Sequence, residues 1–173
     1  MKTSINLRKA LATSLTAAVL ATSYCGAVQA GSNGGQQGSP RSIVGSWRNM
    51  VTFTNCTTGA ALRTPFAALN SFFEEGNLIE NGSGISPALR SISHGTWRRA
   101  GKRSFIARSE IQLFDLAGTF TGVQVITRKF DLGEDGNSLT STAKVLRTGI
   151  DGSVVASFCA TETGERLPEP VWP

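Results

Sequence analysis

Four short signatures, Glu75-Gly76-Asn77, Ala100-Gly101-Lys102, Asp135-Gly136-Asn137 and Asp151-Gly152, each set a residue that tolerates positive φ between two runs rich in β-branched and aromatic residues. Strands joined by turns this tight must be antiparallel neighbours. Eight such runs follow one another, near 43–54, 67–75, 77–82, 92–99, 103–115, 119–132, 137–148 and 153–163, and no helical stripe interrupts them. Eight antiparallel strands in chain order would leave two exposed edges unless the sheet closes. The expectation is an all-β, eight-stranded antiparallel up-and-down barrel.

The connections of such a barrel alternate between its ends. The second, fourth and sixth are all tight, whereas the first (55–65) and third (82–91) are long. One end is therefore expected to be closed by short hairpins, and the other to carry long loops around a mouth. A barrel of this strand number either holds one small ligand or is filled by its own side chains.

The ends of the chain point to export. Lys2, Arg8 and Lys9 precede an uncharged, mostly apolar stretch, and Val28 and Ala30 occupy the positions a signal peptidase reads. Residues 1–30 read as a signal peptide, 31–41 as a disordered Gly/Ser/Gln linker, 42–167 as the barrel domain and 168–173 as a Pro-rich tail. Cys25 does not make a lipid-anchor site, because Tyr24 stands where a small residue is needed. Localisation is expected to be periplasmic or extracellular.

Removing the signal lowers the formal net charge from +5 to +2, since three of the 17 basic residues and none of the 12 acidic ones lie within it. The apparent basicity thus gives no support to nucleic-acid binding. Two cysteines remain, Cys56 and Cys159, and in an oxidising compartment they are expected to form a disulfide. A direct bridge between the first and last strands would set Trp47 opposite residue 168. Strand stagger or a fold-back of Cys56 from its loop would accommodate the bond differently, and the sequence leaves both open.

Period-two alternation assigns the faces. On the first strand Trp47, Asn49, Val51 and Phe53 share one side. On the fifth, Phe105, Ala107, Ser109, Ile111 and Leu113 do so. With Ala100-Gly101-Lys102 as a three-residue loop, Trp97 faces Phe105 across the fourth hairpin. Both tryptophans then lie inside, at the closed end.

Gly45, Trp47 and Arg166 carry a resemblance. A Gly-x-Trp opening the first strand, with an arginine at the end of the last, resembles the lipocalin-like, calycin-type pattern of secreted barrels. That pattern implies that the arginine packs over the tryptophan. Gly45, Trp47, Trp97 and Arg166 are then a structural floor. The family's second loop motif, a Thr-Asp-Tyr-type triplet, is absent.

Chemistry-bearing motifs are sparse. His94, the one histidine, lies three residues from Trp97, so a continuous strand points it outward, and no histidine, free cysteine or carboxylate stands near it in sequence. Arg98, Arg99, Lys102 and Arg103 crowd one hairpin tip, which reads as a solvated turn and, secondarily, as a weak contact for an anionic surface. Asp131, Asp135 and Asn137 have calcium-loop spacing but no helix–loop–helix frame, so no metal is expected. Asn55-Cys56-Thr57 and Asn81-Gly82-Ser83 match a glycosylation triplet that matters only in a eukaryotic host. No cofactor motif is present.

The functional expectation is an exported protein binding a small, largely apolar molecule. Its lining would come from Asn49, Val51, Phe53, Ser109, Ile111 and Leu113, with Asn49 and Ser109 supplying polar contacts. Two alternatives share the scaffold. One is a cofactor-free cyclase or isomerase shaping an unsaturated substrate, as in the similar barrel of allene oxide cyclase. Catalysis by confinement of that kind needs no conspicuous motif. The other is a filled barrel that meets a partner through its loops.

Overall fold

The computed structural model describes residues 42–172. The expected signal peptide, the linker and Cys25 lie outside these residues. Eight strands follow in chain order: β1 (Gly45–Thr54), β2 (Phe66–Phe72), β3 (Asn77–Gly82), β4 (Ser93–Arg99), β5 (Ser104–Phe114), β6 (Phe120–Leu132), β7 (Ser138–Gly149) and β8 (Val154–Arg166). Each pairs antiparallel with its neighbours, and β1 pairs with β8, so the sheet is a closed up-and-down barrel. One short 3-10 turn (Pro87–Leu89) sits in the β3–β4 connection.

Closure is set by the β1–β8 register, in which Trp47 stands opposite Arg166 and Thr54 opposite Cys159. The last strand therefore runs three residues beyond the expected 163, and Trp47 does not lie opposite residue 168. Cys56 folds back from the loop after β1 and bonds to Cys159. A disulfide is compatible with an exported protein.

The β4–β5 hairpin differs from expectation by one step. Ala100 N–H donates to the Ser104 carbonyl at 2.8 Å, so the turn is Gly101-Lys102-Arg103. Trp97 consequently stands opposite Ala107, and Arg99 opposite Phe105. The displacement is two residues along β5, an even number, so every side chain keeps its expected face. Which residues form a hairpin turn depends on local hydrogen bonds that composition does not distinguish.

The interior is built in layers. At the closed end Ile43, Trp47, Phe72, Leu78, Phe105 and Phe130 form the larger apolar cluster, with Trp97 packed against it. Phe72 meets Phe130 edge-on at 5.2 Å, and Trp97 meets Phe105 at 5.7 Å. Trp47 is fully buried, and Trp97 faces inward as expected but is only half-buried. Its indole N–H donates to the Phe73 carbonyl at 3.0 Å, which holds the ring at the rim of the floor. Towards the long-loop end a second cluster contains Val51, Ala68, Ile111, Ile126, Val145 and Ala160, with Phe53, Phe66, Leu113 and Phe158 against it.

Candidate functional site

Between the two apolar clusters runs a polar girdle to which every strand contributes one buried side chain. Asn49, Asn70, Glu80 and Ser93 come from β1 to β4, and Ser109, Arg128, Ser141 and Glu162 from β5 to β8. Neighbours in the girdle are cross-strand partners or lie two residues out of register: Asn70 stands opposite Glu80, Glu80 opposite Ser93, and Ser141 opposite Glu162. Asn49 reaches into it because its partner is Gly164, whose missing Cβ would lie 2.0 Å from the Asn49 Oδ1.

Three charges sit in this layer. Arg128 Nη1 pairs with Glu80 Oε2, and Arg128 Nε lies 2.9 Å from Glu162 Oε1. These contacts are ionic in character, not well-directed hydrogen bonds, since none of the four atoms has an aligned partner. Asn49 Nδ2 donates to Glu162 Oε2 at 3.3 Å. Burial pushes the Glu162 carboxyl above the usual carboxylate range. Arg128, together with the Ser141 and Asn49 contacts, opposes that rise, and Glu80 adds to it. Burial works against the charge on Arg128, yet Glu162 and Glu80 more than offset it and hold the guanidinium protonated. Ion groups this deep are a weak source of stability, because desolvation consumes most of the Coulombic gain.

Above the girdle lies a cavity of about 20 Å³ with apolar walls that include Val51, Phe53, Phe66, Ile111, Ile126 and Val145. Its polar groups are Glu80, Arg90, Gln124, Arg128 and Glu162. That volume admits about one water molecule, so the interior is otherwise filled by the protein's own side chains. Several buried polar atoms have no hydrogen-bond partner: in the girdle both side-chain atoms of Asn70, the Ser93 and Ser109 hydroxyls and Asn49 Oδ1, and at the cavity Arg90 Nη2.

The mouth is closed by aromatic rings under guanidinium groups. Phe53 stacks edge-on with Phe66 at 4.9 Å and with Phe158 at 4.7 Å. The Arg63 guanidinium lies over Phe53 and Phe66, and that of Arg147 lies 5.3 Å over Phe158. Arg63 Nη1 also donates to the Gly84 carbonyl at 2.6 Å, tying the β1–β2 connection to the β3–β4 connection. Arg90 fixes the second of these from beneath, donating to the Gly82 and Ser91 carbonyls.

All six expected lining residues lie on the inner side of the wall, but they do not form one surface. Val51, Phe53 and Ile111 line the cavity. Asn49 and Ser109 sit one layer deeper, in the girdle, and Leu113 packs at the rim without reaching the cavity. Sequence motifs missed Glu80, Arg128 and Glu162 because the three are brought together only by barrel closure. A signal was nevertheless present. Each occupies the inward parity of its strand, Glu80 beside Leu78, Arg128 beside Ile126 and Phe130, and Glu162 beside Ala160.

His94 is exposed on the outer wall, between Ile79 and Glu110, as its parity requires. It borders an open groove of about 530 Å³ that also includes Ile92, Thr96, Arg108 and Gln112. At the basic hairpin, Arg103 is paired with Glu134 at 3.1 Å. Arg99 lies over the Phe105 ring and bonds to the Lys102 carbonyl at 2.8 Å. Two of the four cations are thus engaged by their own fold, which weakens the case for an anionic-surface patch.

In comparisons with known proteins, no family model matches the chain and no curated protein matches it. What stands is the fold: a closed, eight-stranded, antiparallel barrel, consistent with a calycin-like architecture.

Proposed function

We propose that this chain is an exported, lipocalin-like barrel that binds one small, largely apolar molecule at its long-loop end. The observation that carries the reading is the cavity beneath Phe53 and Phe66. Its walls are apolar, and its base presents Glu80, Arg128 and Glu162 together, the combination by which binding sites orient a ligand. At about 20 Å³ it takes a ligand only when the Phe53–Phe66–Phe158 plug and the loops pinned by Arg63 move outward. Binding is therefore coupled to opening of the mouth.

The same small volume favours a second reading, a filled barrel that meets a partner along the outer groove near His94. An isomerase or cyclase would use the first site, where Glu162, whose carboxyl burial pushes upward, stands at the base of the cavity. Methyl and amide NMR during titration with decanol separates the first reading from the second. Binding in the barrel perturbs Val51, Ile111 and Val145 together while leaving Ile92 and His94 in place. Shifts confined to the outer wall, or none at all, refute it.

A further inference from the structure

The two ends of the barrel differ in what their connections expose. At the closed end, residues 73–76, 100–103 and 133–137 carry Glu74, Glu75, Lys102, Arg103, Glu134 and Asp135. At the mouth, the longer stretches 55–65, 83–92, 115–119 and 150–153 carry only Arg63, Arg90, Asp115 and Asp151, and Arg90 is buried. Large apolar side chains take the exposed places instead. Leu116 is 92 % and Ile150 76 % exposed, and Leu62, Phe120, Val154 and Val155 are exposed in or next to the same connections. Turns that face water ordinarily carry polar residues, so apolar groups gathered at one end mark a contact surface.

The geometry of these turns adds a second observation. They stand clear of the barrel, since a Cβ at Gly59, Gly118 or Gly152 would meet nothing within 4 Å. Gly122 pairs with Gly149, which sets the β5–β6 and β7–β8 turns side by side. The two carboxylates are turned into their own backbone. Asp115 Oδ1 accepts the Ala117 and Thr119 N–H groups at 2.9 Å, and Asp151 Oδ1 accepts the Ser153 N–H at 3.0 Å and its hydroxyl at 2.7 Å. The acids fasten the turns, and Leu116 and Ile150 are left to the solvent.

We propose that the mouth end of the barrel docks on the surface of a lipid bilayer, with Leu116 and Ile150 as its leading side chains and Phe120, Val154 and Val155 behind them. Two features favour a bilayer over a protein partner. Separate projecting turns offer no continuous face for a rigid surface to match, whereas a fluid interface accommodates each side chain on its own. Charge at the rim is balanced, Arg63 and Arg147 against Asp115 and Asp151, which suits zwitterionic headgroups and supplies no net attraction to anionic ones. The docking does not depend on what the barrel holds.

The test is co-sedimentation of the protein, purified from its own host without detergent, with phosphatidylcholine vesicles. The wild-type protein is expected to pellet with them, and neither added phosphatidylglycerol nor raised salt is expected to alter the bound fraction by more than about twofold. Leu116→Asp/Ile150→Asp is expected to weaken docking about tenfold or more. Both residues stand in solvent, so the urea midpoint is expected to stay near that of wild type, which separates lost docking from lost folding. A variant that docks as tightly as wild type overturns the proposal, as does wild-type protein left in the supernatant. Pelleting only with anionic vesicles, reversed by salt, would assign the contact to the basic β4–β5 hairpin at the other end and overturn it too. So would a dimer in vesicle-free buffer that the same two substitutions dissolve, since the patch would then belong to a second copy of the chain.

Discussion

The guanidinium carbon of Arg166 lies 4.3 Å from the centre of the Trp47 ring, its strand partner across the seam where the barrel closes. From there Arg166 donates to the Val44, Ser42 and Gly136 carbonyls, at 2.5, 2.8 and 3.0 Å. Gly45, at φ +123°, makes room, since a Cβ there would sit 2.6 Å from Arg166 Nη1. One side chain thus seals the chain entry, the β6–β7 turn and the floor. Arg166→Ala is expected to cost about 2–4 kcal/mol through the lost cation–π contact and the carbonyls left open. Urea midpoints measure it, and a loss below about 0.5 kcal/mol would remove the arginine from any closing role.

The girdle makes an asymmetric prediction. Arg128→Met leaves Glu80 and Glu162 buried without their counter-ion and is expected to cost about 3–5 kcal/mol. Replacing all three charges, as Glu80→Leu, Arg128→Met and Glu162→Leu, is expected to recover that loss or gain up to about 4 kcal/mol. A stable triple variant that no longer binds ligand would show that the charges are kept for the site. A triple variant as unstable as Arg128→Met would mark them as structural.

Stability should also depend on pH through Glu162. Burial raises its folded-state pKa above the unfolded value, so the folded chain binds this proton more tightly. The stability it contributes is complete below the ordinary glutamate range, near pH 4, and is lost as pH rises through the raised value. In Glu162→Gln that decline disappears. Urea unfolding of both proteins across the weakly acidic range checks the sign, and parallel curves would contradict it.

The Cys56–Cys159 bond closes a loop with a sequence separation of 103 residues. In the chain-entropy model such a loop contributes up to about 4.7 kcal/mol by restricting the unfolded chain. Cys56→Ala/Cys159→Ala is expected to lower the unfolding free energy, read from urea transitions, by a large part of this and to leave the β1–β8 register unchanged. An unaltered midpoint would mean that the bond adds nothing to the closure already made by backbone pairing.

His94→Ala is expected to change stability by no more than about 0.5 kcal/mol and to leave ligand affinity unaltered, because the imidazole lies on the outer wall. A loss of affinity for decanol, read by calorimetric titration, would move the site to the groove beside it.

The barrel was legible because its evidence is local. Alternation fixes which way Trp47, Val51, Ile111 and Leu113 point, and the short turns force β2–β3, β4–β5 and β6–β7 together. The limit of local evidence shows at Trp97, which pairs with Ala107 and not Phe105, since the turn begins one residue later than composition suggests. It shows also at Cys56, whose return from the loop depends on where the seam closes. The site was less legible for a related reason. Asn49 and Ser109 face inward as expected, but depth along the barrel axis decides whether an inward residue lines a cavity or a girdle. That depth follows from stagger between strands. Glu80, Arg128 and Glu162 became one group only when three distant strands were brought round the same axis.

The most direct test of the central claim is native mass spectrometry of the protein purified from its own host without detergent. A bound ligand gives a reproducible additional mass, belonging to a small, largely apolar molecule, that disappears on denaturation. A clean apo mass, combined with no uptake of decanol by the same sample, would contradict the claim and leave the barrel as a filled scaffold.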